Sequence, residues 1–233
     1  MAFDPVLMIM QPRQIDESLN SLKYNIDIPK VWFRAFTEPQ VVAEMNKFIK
    51  ETNYSHYIVM SDDGVVSKKA ADTILKYGEM KEYDVFTGWM NMHLGDDGSF
   101  SEISTVCLGW IPEFKDPAGP VRGEYPEWQS MAWVKTFGDK VIRTAMANFA
   151  MSIAERELFL RFPLHTHKLG RASDHHWSYR LQRAGVKVYT HPDAFIKHLR
   201  KGWSPWRHNW LVGNVEPEIR YENMKWGNRE DYV

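Results

Sequence analysis

The stretch "YIVMSDDGVV", Tyr57 to Val66, sets two adjacent carboxylates, Asp62 and Asp63, after an unbroken apolar run. The same Asp-Asp-Gly triplet returns in "HLGDDGSF", His93 to Phe100. Paired carboxylates can hold a divalent cation, because hard ions such as Mg²⁺ and Mn²⁺ take oxygen ligands and share them with phosphates. Asp-Gly is also a common turn dipeptide. The flanks separate the copies. The first follows a buried-strand pattern and precedes a helix start at Ser67, which predicts a site beyond the carboxyl end of a strand. The second lacks the apolar run and reads as a surface turn. Farther on, "ASDHHWSYRL" places Asp174 in the first turn of a helix that Ser173 caps. The helix dipole there favours the carboxylate, which can take a proton from a hydroxyl. His175 and His176 are adjacent, so they face different sides of the helix and do not make a two-His pair. His165 and His167 alternate along an extended segment.

These groups need elements to carry them. Val6–Met10 is a short apolar run, read as a buried strand. Ile15, Leu19 and Leu22 recur at helical spacing. Val31–Phe33 reads as a second strand. Thr37-Glu38-Pro39-Gln40 is a helix start, with Val42, Met45 and Ile49 on the apolar face. Tyr57–Met60 is a third strand. Ser67 caps a helix whose Ala71, Ile74 and Leu75 face inward and which Gly78 ends. Tyr83–Trp89 is a fourth strand. This alternation predicts βαβ units and a mainly parallel central sheet flanked by helices. Met90 to about Arg143 is rich in Gly, Pro and turn pairs, and reads as irregular with short antiparallel strands, one wall of a cleft. A strand at "NFAMSIA", a helix near Glu155–Phe162 and a helix after Ser173, with Trp177 and Leu181 inward and Gly185 past its end, complete the pattern. Two short strands then flank a turn at His191-Pro192-Asp193. From Arg200 to Val233 the chain is polar, Trp-rich and non-periodic.

With these motifs in view, the chain resembles the GT-A glycosyltransferases, in particular family 2-like members. "YIVMSDDGVV" is similar to their DXD motif region. "YDVFTGW" resembles the next sheet strand, and "NFAMSIAERELFLRFPL" the acceptor-side strand and helix. "ASDHHWSYRLQRAGVKVYTHPDAFIKHLR", Ala172 to Arg200, matches the family's later signature in order and spacing. Together these segments span Val6 to Arg200. The chain departs from the pattern at Gly64, where a third acid is usual, and at Ser173, which replaces a Glu. In a shifted register Ser61 takes the place of the first acid.

The resemblance implies one GT-A (Rossmann-like) α/β domain over 1–233. Residues 1–92 would form a nucleotide-binding half, 93–199 an acceptor-side half with a small antiparallel region, and 200–233 a C-terminal segment able to act as a lid. It implies a divalent metal, Mn²⁺ or Mg²⁺, on Asp62, Asp63 and His198, with the individual roles of the two acids open. Asp174 would be the general base. Gln11, Pro12, Arg13, Arg34, Phe36 and Ser61 would hold the nucleotide. Lys197, Arg200, Lys201 and Trp203 would close on the diphosphate and sugar. Gly88, Trp89, His175 and His176 would lie on the acceptor side. The implied reaction moves a sugar from a nucleotide-diphosphate sugar to an acceptor hydroxyl (glycan, lipid-linked or protein), with inversion.

Bulk properties bound this reading. With 233 residues, 44% hydrophobic and 25% charged, the chain has the composition of a soluble globular protein. A formal net charge of −1 gives no reason to expect nucleic acid as a partner. The single Cys107 makes no intramolecular disulfide and reads as a small buried apolar residue, in keeping with a cytoplasmic setting. The apolar run at Val6–Met10 follows Asp4 without a basic region, so it is not read as a signal peptide. No stretch reaches the roughly 20 apolar residues of a membrane span. Trp and basic residues after Lys197 leave peripheral membrane contact open. Two alternatives stay open: a nucleotidyltransferase making nucleotide-sugars, against which the glycine-free "MQPRQ" argues, and a non-catalytic nucleotide-sugar-binding protein.

Overall fold

A computed structural model of the chain describes residues 2–11, 15–34, 38–93, 100–111, 125–166 and 173–199. In chain order the elements are β1 (Pro5–Met10), α1 (Asp16–Asn25), β2 (Lys30–Phe33), α2 (Glu38–Glu51), β3 (His56–Ser61), β4 (Gly64–Val66) and α3 (Lys68–Gly78). There follow β5 (Val85–Phe86), β6 (Asn91–His93), β7 (Phe100–Ile111), β8 (Tyr125–Ser130), α4 (Met131–Lys135) and β9 (Ile142–Thr144). The last are β10 (Ala150–Glu155), α5 (Arg156–Arg161), α6 (Ser173–Arg183), β11 (Val188–Thr190) and β12 (Ile196–His198).

The central sheet has seven strands in the order β2-β1-β3-β10-β5-β11-β9. β2, β1, β3, β5 and β11 run the same way, whereas β10 and β9 run against them. It is a mixed α/β fold with a mainly parallel sheet flanked by helices, compatible with a Rossmann-like architecture. β1 is buried at every position, and its side chains alternate between two cores. Val6, Met8 and Met10 meet α2, α5 and α6, through Val42, Met45, Phe159, Trp177 and Leu181. Leu7 and Ile9 meet α1 and α3, through Leu22, Ala70 and Ile74. A strand buried on both faces has no use for polar alternation, which is why "PVLMIM" is a continuous apolar run.

Several local expectations change in the structure. On α1, Leu19 is only half-buried, and the buried residues are Ser18, Ser21 and Leu22. This face meets backbone. The Ser18 hydroxyl donates to the Gly64 carbonyl at 2.8 Å, Val66 N–H donates to Ser21 Oγ at 3.0 Å, and Asn25 Nδ2 donates to the Val66 carbonyl at 2.7 Å. Among the described residues β4 pairs with β12 alone, and on its other edge helix polar groups meet its backbone. Gly78 is the last residue of α3 but does not take a left-handed backbone, and the Glu79 that follows is right-handed. A Cβ at 78 would come 2.5 Å from Ile153 Cγ2, so close helix–sheet packing selects the glycine. Gly185, at φ 76°, is the left-handed residue beyond α6.

Among its described residues, the stretch from Met90 to about Arg143 is more regular than its turn-rich sequence predicts. β7 is twelve residues long and lies between β6 and β8, all antiparallel. The second Asp-Asp-Gly triplet lies outside the described residues. β11 and β12 flank a 3₁₀ turn at Pro192–Ala194 but join different sheets.

Candidate functional site

β3 ends at Ser61, and the chain turns through Asp62 and Asp63 into β4. β4 pairs antiparallel with β12, setting His198 opposite Gly64. That register delivers His198 to Asp63: Nε2 lies 3.3 Å from Oδ2. The other oxygen, Oδ1, accepts from the Ser61 hydroxyl at 2.7 Å. The Asp63 carbonyl accepts from Leu199 N–H at 2.6 Å. Both acids are almost wholly buried, Asp62 at 1% exposure and Asp63 at 2%. Buried carboxylates are costly unless partnered. The place where a third acid is usual is filled: a Cβ at Gly64 would sit 2.8 Å from Met60 Cε and 2.9 Å from Ile196 Cγ2.

The donor set fits a divalent cation in part. Two neighbouring ligands of one octahedral ion at about 2.1 Å stand about 3.0 Å apart. The Asp63–His198 separation of 3.3 Å is close to that, and carboxylate plus imidazole suits Mn²⁺. Among the described residues no group of three or more His, Cys, Asp or Glu converges as a ready cage. Water and ligand phosphates would have to supply the other positions, as they commonly do for Mg²⁺.

Asp174 sits in the first turn of α6. The helix leads into β11, which is parallel to β5, so its N-terminus lies at the carboxyl edge of the sheet. Ser61 N–H donates to the Phe149 carbonyl at 2.9 Å, and Ala147 N–H donates to Ser178 Oγ at 2.9 Å. Ala147 and Phe149 are two residues apart, at most about 7 Å of chain. The segment before β10 thus ties the end of β3 to the middle of α6. Two more contacts fix the helix: Trp177 stacks on Phe159 with centroids 5.0 Å apart, and its Nε1 donates to the Phe162 carbonyl at 2.9 Å. The Asp174 Oδ1 accepts from His175 N–H at 2.8 Å.

β10 itself is irregular here. Its register shifts between Ala150 and Ser152, and Met151 takes φ 66°. Asn148 braces the bulge, with Oδ1 accepting from Ala150 N–H at 2.9 Å and Nδ2 donating to Thr105 Oγ1 at 3.0 Å. Gly88 lies against it, and a Cβ there would fall 2.2 Å from the Ala150 carbonyl oxygen. Bulges of this kind recur beside active sites.

Of the other expected site residues, Gln11 and Arg34 stand together at the ends of β1 and β2, with Arg34 Nε donating to Gln11 Oε1 at 3.0 Å. His175 lies 5.7 Å from the Trp128 ring, and His176 lies 5.0 Å from the His165 ring. Trp89 is a core residue: it is 1% exposed, and its Nε1 donates to the His191 carbonyl at 3.0 Å. Lys197 points to α1, pairing with Glu17 at 2.9 Å on the surface. Pro12, Arg13, Phe36, His167, Arg200, Lys201 and Trp203 lie outside the described residues. Four buried groups have no hydrogen-bond partner among the described residues: Gln11 Nε2, Asn91 Nδ2, Trp128 Nε1 and Ser173 Oγ. Asn91, whose Oδ1 faces His198 N–H at 3.5 Å, carries no motif in the sequence. That contact shows only in three dimensions.

No protein-family model matches the chain. No curated protein matches it either. Among solved structures, it is similar to GalNAc-T7 in a crystal structure with UDP, GalNAc and Mn²⁺, with a TM-score of 0.54 and 10% identity. That alignment covers 86% of this chain but only 43% of that one. The chain is also similar to A197 from STIV, at TM-score 0.46 and 11% identity over 86% of this chain and 96% of that one. At such identities the first likeness shows a shared GT-A-like fold, and the second carries no argument. No described helix is long and apolar enough to cross a membrane.

Proposed function

We propose that the chain is a metal-dependent glycosyltransferase of GT-A type, a single domain that moves a sugar from a nucleoside-diphosphate sugar to an acceptor hydroxyl with inversion. The observation that carries this is the pairing of buried Asp63 with partly exposed His198 at the carboxyl end of β3, at the donor spacing of one cation. Likeness to the fold of GalNAc-T7, a structure containing UDP and Mn²⁺, supports it. Asp63 and His198 would hold Mn²⁺ or Mg²⁺, with Asp62 beside them. The bound cation would neutralise charge developing on the departing nucleoside diphosphate. Gln11 and Arg34 offer donors for the nucleotide where the carboxyl ends of β1 and β2 meet. Asp174 takes the proton of the acceptor hydroxyl as it attacks the anomeric carbon, with His175, His176 and Trp128 on the acceptor side.

The test is hydrolysis and transfer over a panel of UDP-, GDP- and dTDP-sugars, with Mn²⁺ and with EDTA. Turnover that needs the metal and disappears in Asp63→Ala is expected. Metal-independent turnover, or none with any donor, sinks the proposal. One observation favours a second reading, a nucleotide-sugar-binding protein: the Asp174 carboxylate caps its own helix through His175 N–H. Calorimetric binding without turnover on any acceptor would select that reading.

A further inference from the structure

Glu38 is the first residue of α2, yet its carboxylate is 2% exposed. Oε1 accepts from the backbone N–H of Ser173, the first residue of α6, at 2.7 Å. The two residues are 135 apart in sequence. The first N–H groups of a helix have no partner inside it, and the dipole there favours an anion. These two facts explain how the fold tolerates a buried carboxylate at this point. α2 grips the same region a second time: Asn46 Nδ2 donates to the Leu164 carbonyl at 2.8 Å, and Leu164 N–H donates to Asn46 Oδ1 at 3.0 Å. α2 therefore fixes the chain both before α6 and at its first residue. Asp174 is the next residue.

We propose that Glu38 is a positioning residue for Asp174, holding the N-terminus of α6 so that the carboxylate of Asp174 meets the acceptor hydroxyl. The inference rests on the reading of Asp174 as the general base. Withdrawing the Glu38 oxygen leaves the Ser173 N–H without its partner and the first turn of α6 without its anchor. A displacement of about 1 Å at a catalytic group costs on the order of 100-fold in rate. The described bond of Glu38 runs to α6, so the loss expected is in turnover and not in nucleotide binding.

The test compares wild type with Glu38→Ala, Glu38→Asp, Glu38→Gln and Asp174→Asn, all confirmed as folded by thermal melting. Glu38→Asp retains the charge but falls one methylene short, and it serves if Glu38→Ala does not fold. Turnover is read with the donor panel and Mn²⁺, and UDP binding by calorimetry. The expected result is a fall in kcat on the order of 100-fold in Glu38→Ala and Glu38→Asp, with the UDP Kd within about twofold. Glu38→Gln, whose amide oxygen can still accept from Ser173, should restore most of kcat. An inactive Asp174→Asn beside fully active Glu38→Ala and Glu38→Asp overturns the positioning role alone. So does a Glu38→Gln as impaired as Glu38→Ala, or a parallel loss of UDP binding. A wild type without turnover, or a fully active Asp174→Asn, removes the base itself and with it the reading beneath.

Discussion

Asp63 has contacts among the described residues that can be tested one at a time. Its side chain meets Ser61 and His198, and its carbonyl meets Leu199. Asp63→Asn keeps the size and the Ser61 bond but loses the anionic donor. Metal-dependent turnover should fall at least about 100-fold, the scale of losing one electrostatic contact in an active site, with little change in melting temperature. Equal turnover in Asp63→Asn and wild type would remove Asp63 from the metal. Cys107 gives a contrasting residue. Burial pushes its thiol up to about 12, although bonds from the Gly109 and Glu127 backbones pull the other way. The thiolate is the reactive form, so the native protein should not react with a disulfide reagent at pH 8, whereas one equivalent should react in denaturant. His56 sets part of the acid stability. Burial lowers its pKa below 6.5, against the opposing pull of Glu155 and Glu79. On acidification the unfolded chain then binds a proton before the folded one does. The stability that neutral His56 supplies is present above pH 6.5 and drains away as pH falls through and below that value. Melting temperatures from pH 8 to 5 should fall less steeply in His56→Gln than in wild type; identical slopes would exclude His56.

At the scale of elements, close approach decides more than turn chemistry does. Gly88 sits under the β10 bulge with no room for a Cβ, and the obstructing atom is a backbone oxygen that cannot swing aside. Gly88→Ala should destabilise by about 1–3 kcal/mol, the range for overpacked sites. Gly109→Ala in β7, where a Cβ would meet nothing within 4 Å, should stay within about 0.5 kcal/mol of wild type. Denaturant midpoints would show both, and a neutral Gly88→Ala would mean that the bulge can move. The same distinction explains what the sequence could reveal. Strand β1 was legible because burial on both faces makes it uniformly apolar. Ser67 was legible because its hydroxyl accepts from Ala70 N–H, a bond wholly local in sequence. The polar face of α1 was not, because Ser18 and Ser21 answer to β4, more than forty residues away in sequence. The bond of Glu38 was not legible for a related reason: it runs to Ser173, 135 residues away. Motif order groups Asp62, Asp63, Asp174 and His198, and of these the structure brings Asp63 and His198 into contact, whereas Asn91 belongs to no motif.

For the whole molecule, the carboxyl edge of the sheet is where separate segments meet: β1 and β2 with Gln11 and Arg34, the acidic turn after β3, the end of β12, and the start of α6. A nucleoside diphosphate bridging a cation at Asp63 and His198 would bind the folded chain and not the unfolded one. At 100 times its Kd, a ligand of this kind adds about 2.7 kcal/mol to stability. For a chain of this length each kcal/mol raises Tm by roughly 2–4 °C. UDP with Mn²⁺ should therefore raise Tm by about 5–10 °C when saturating. UDP alone or Mn²⁺ alone should give much less, because each supplies ligands that the other requires and the described side chains do not form a complete cage. The Asp63→Asn and His198→Ala variants should lose the combined effect while unliganded Tm stays nearly the same. GDP and dTDP in place of UDP would show which base the edge near Gln11 and Arg34 accepts. Should Mn²⁺ alone give the full shift, the cation site is complete without phosphate. Should UDP give it in EDTA, the diphosphate is held by cationic side chains instead, and the pairing of Asp63 with His198 is structural.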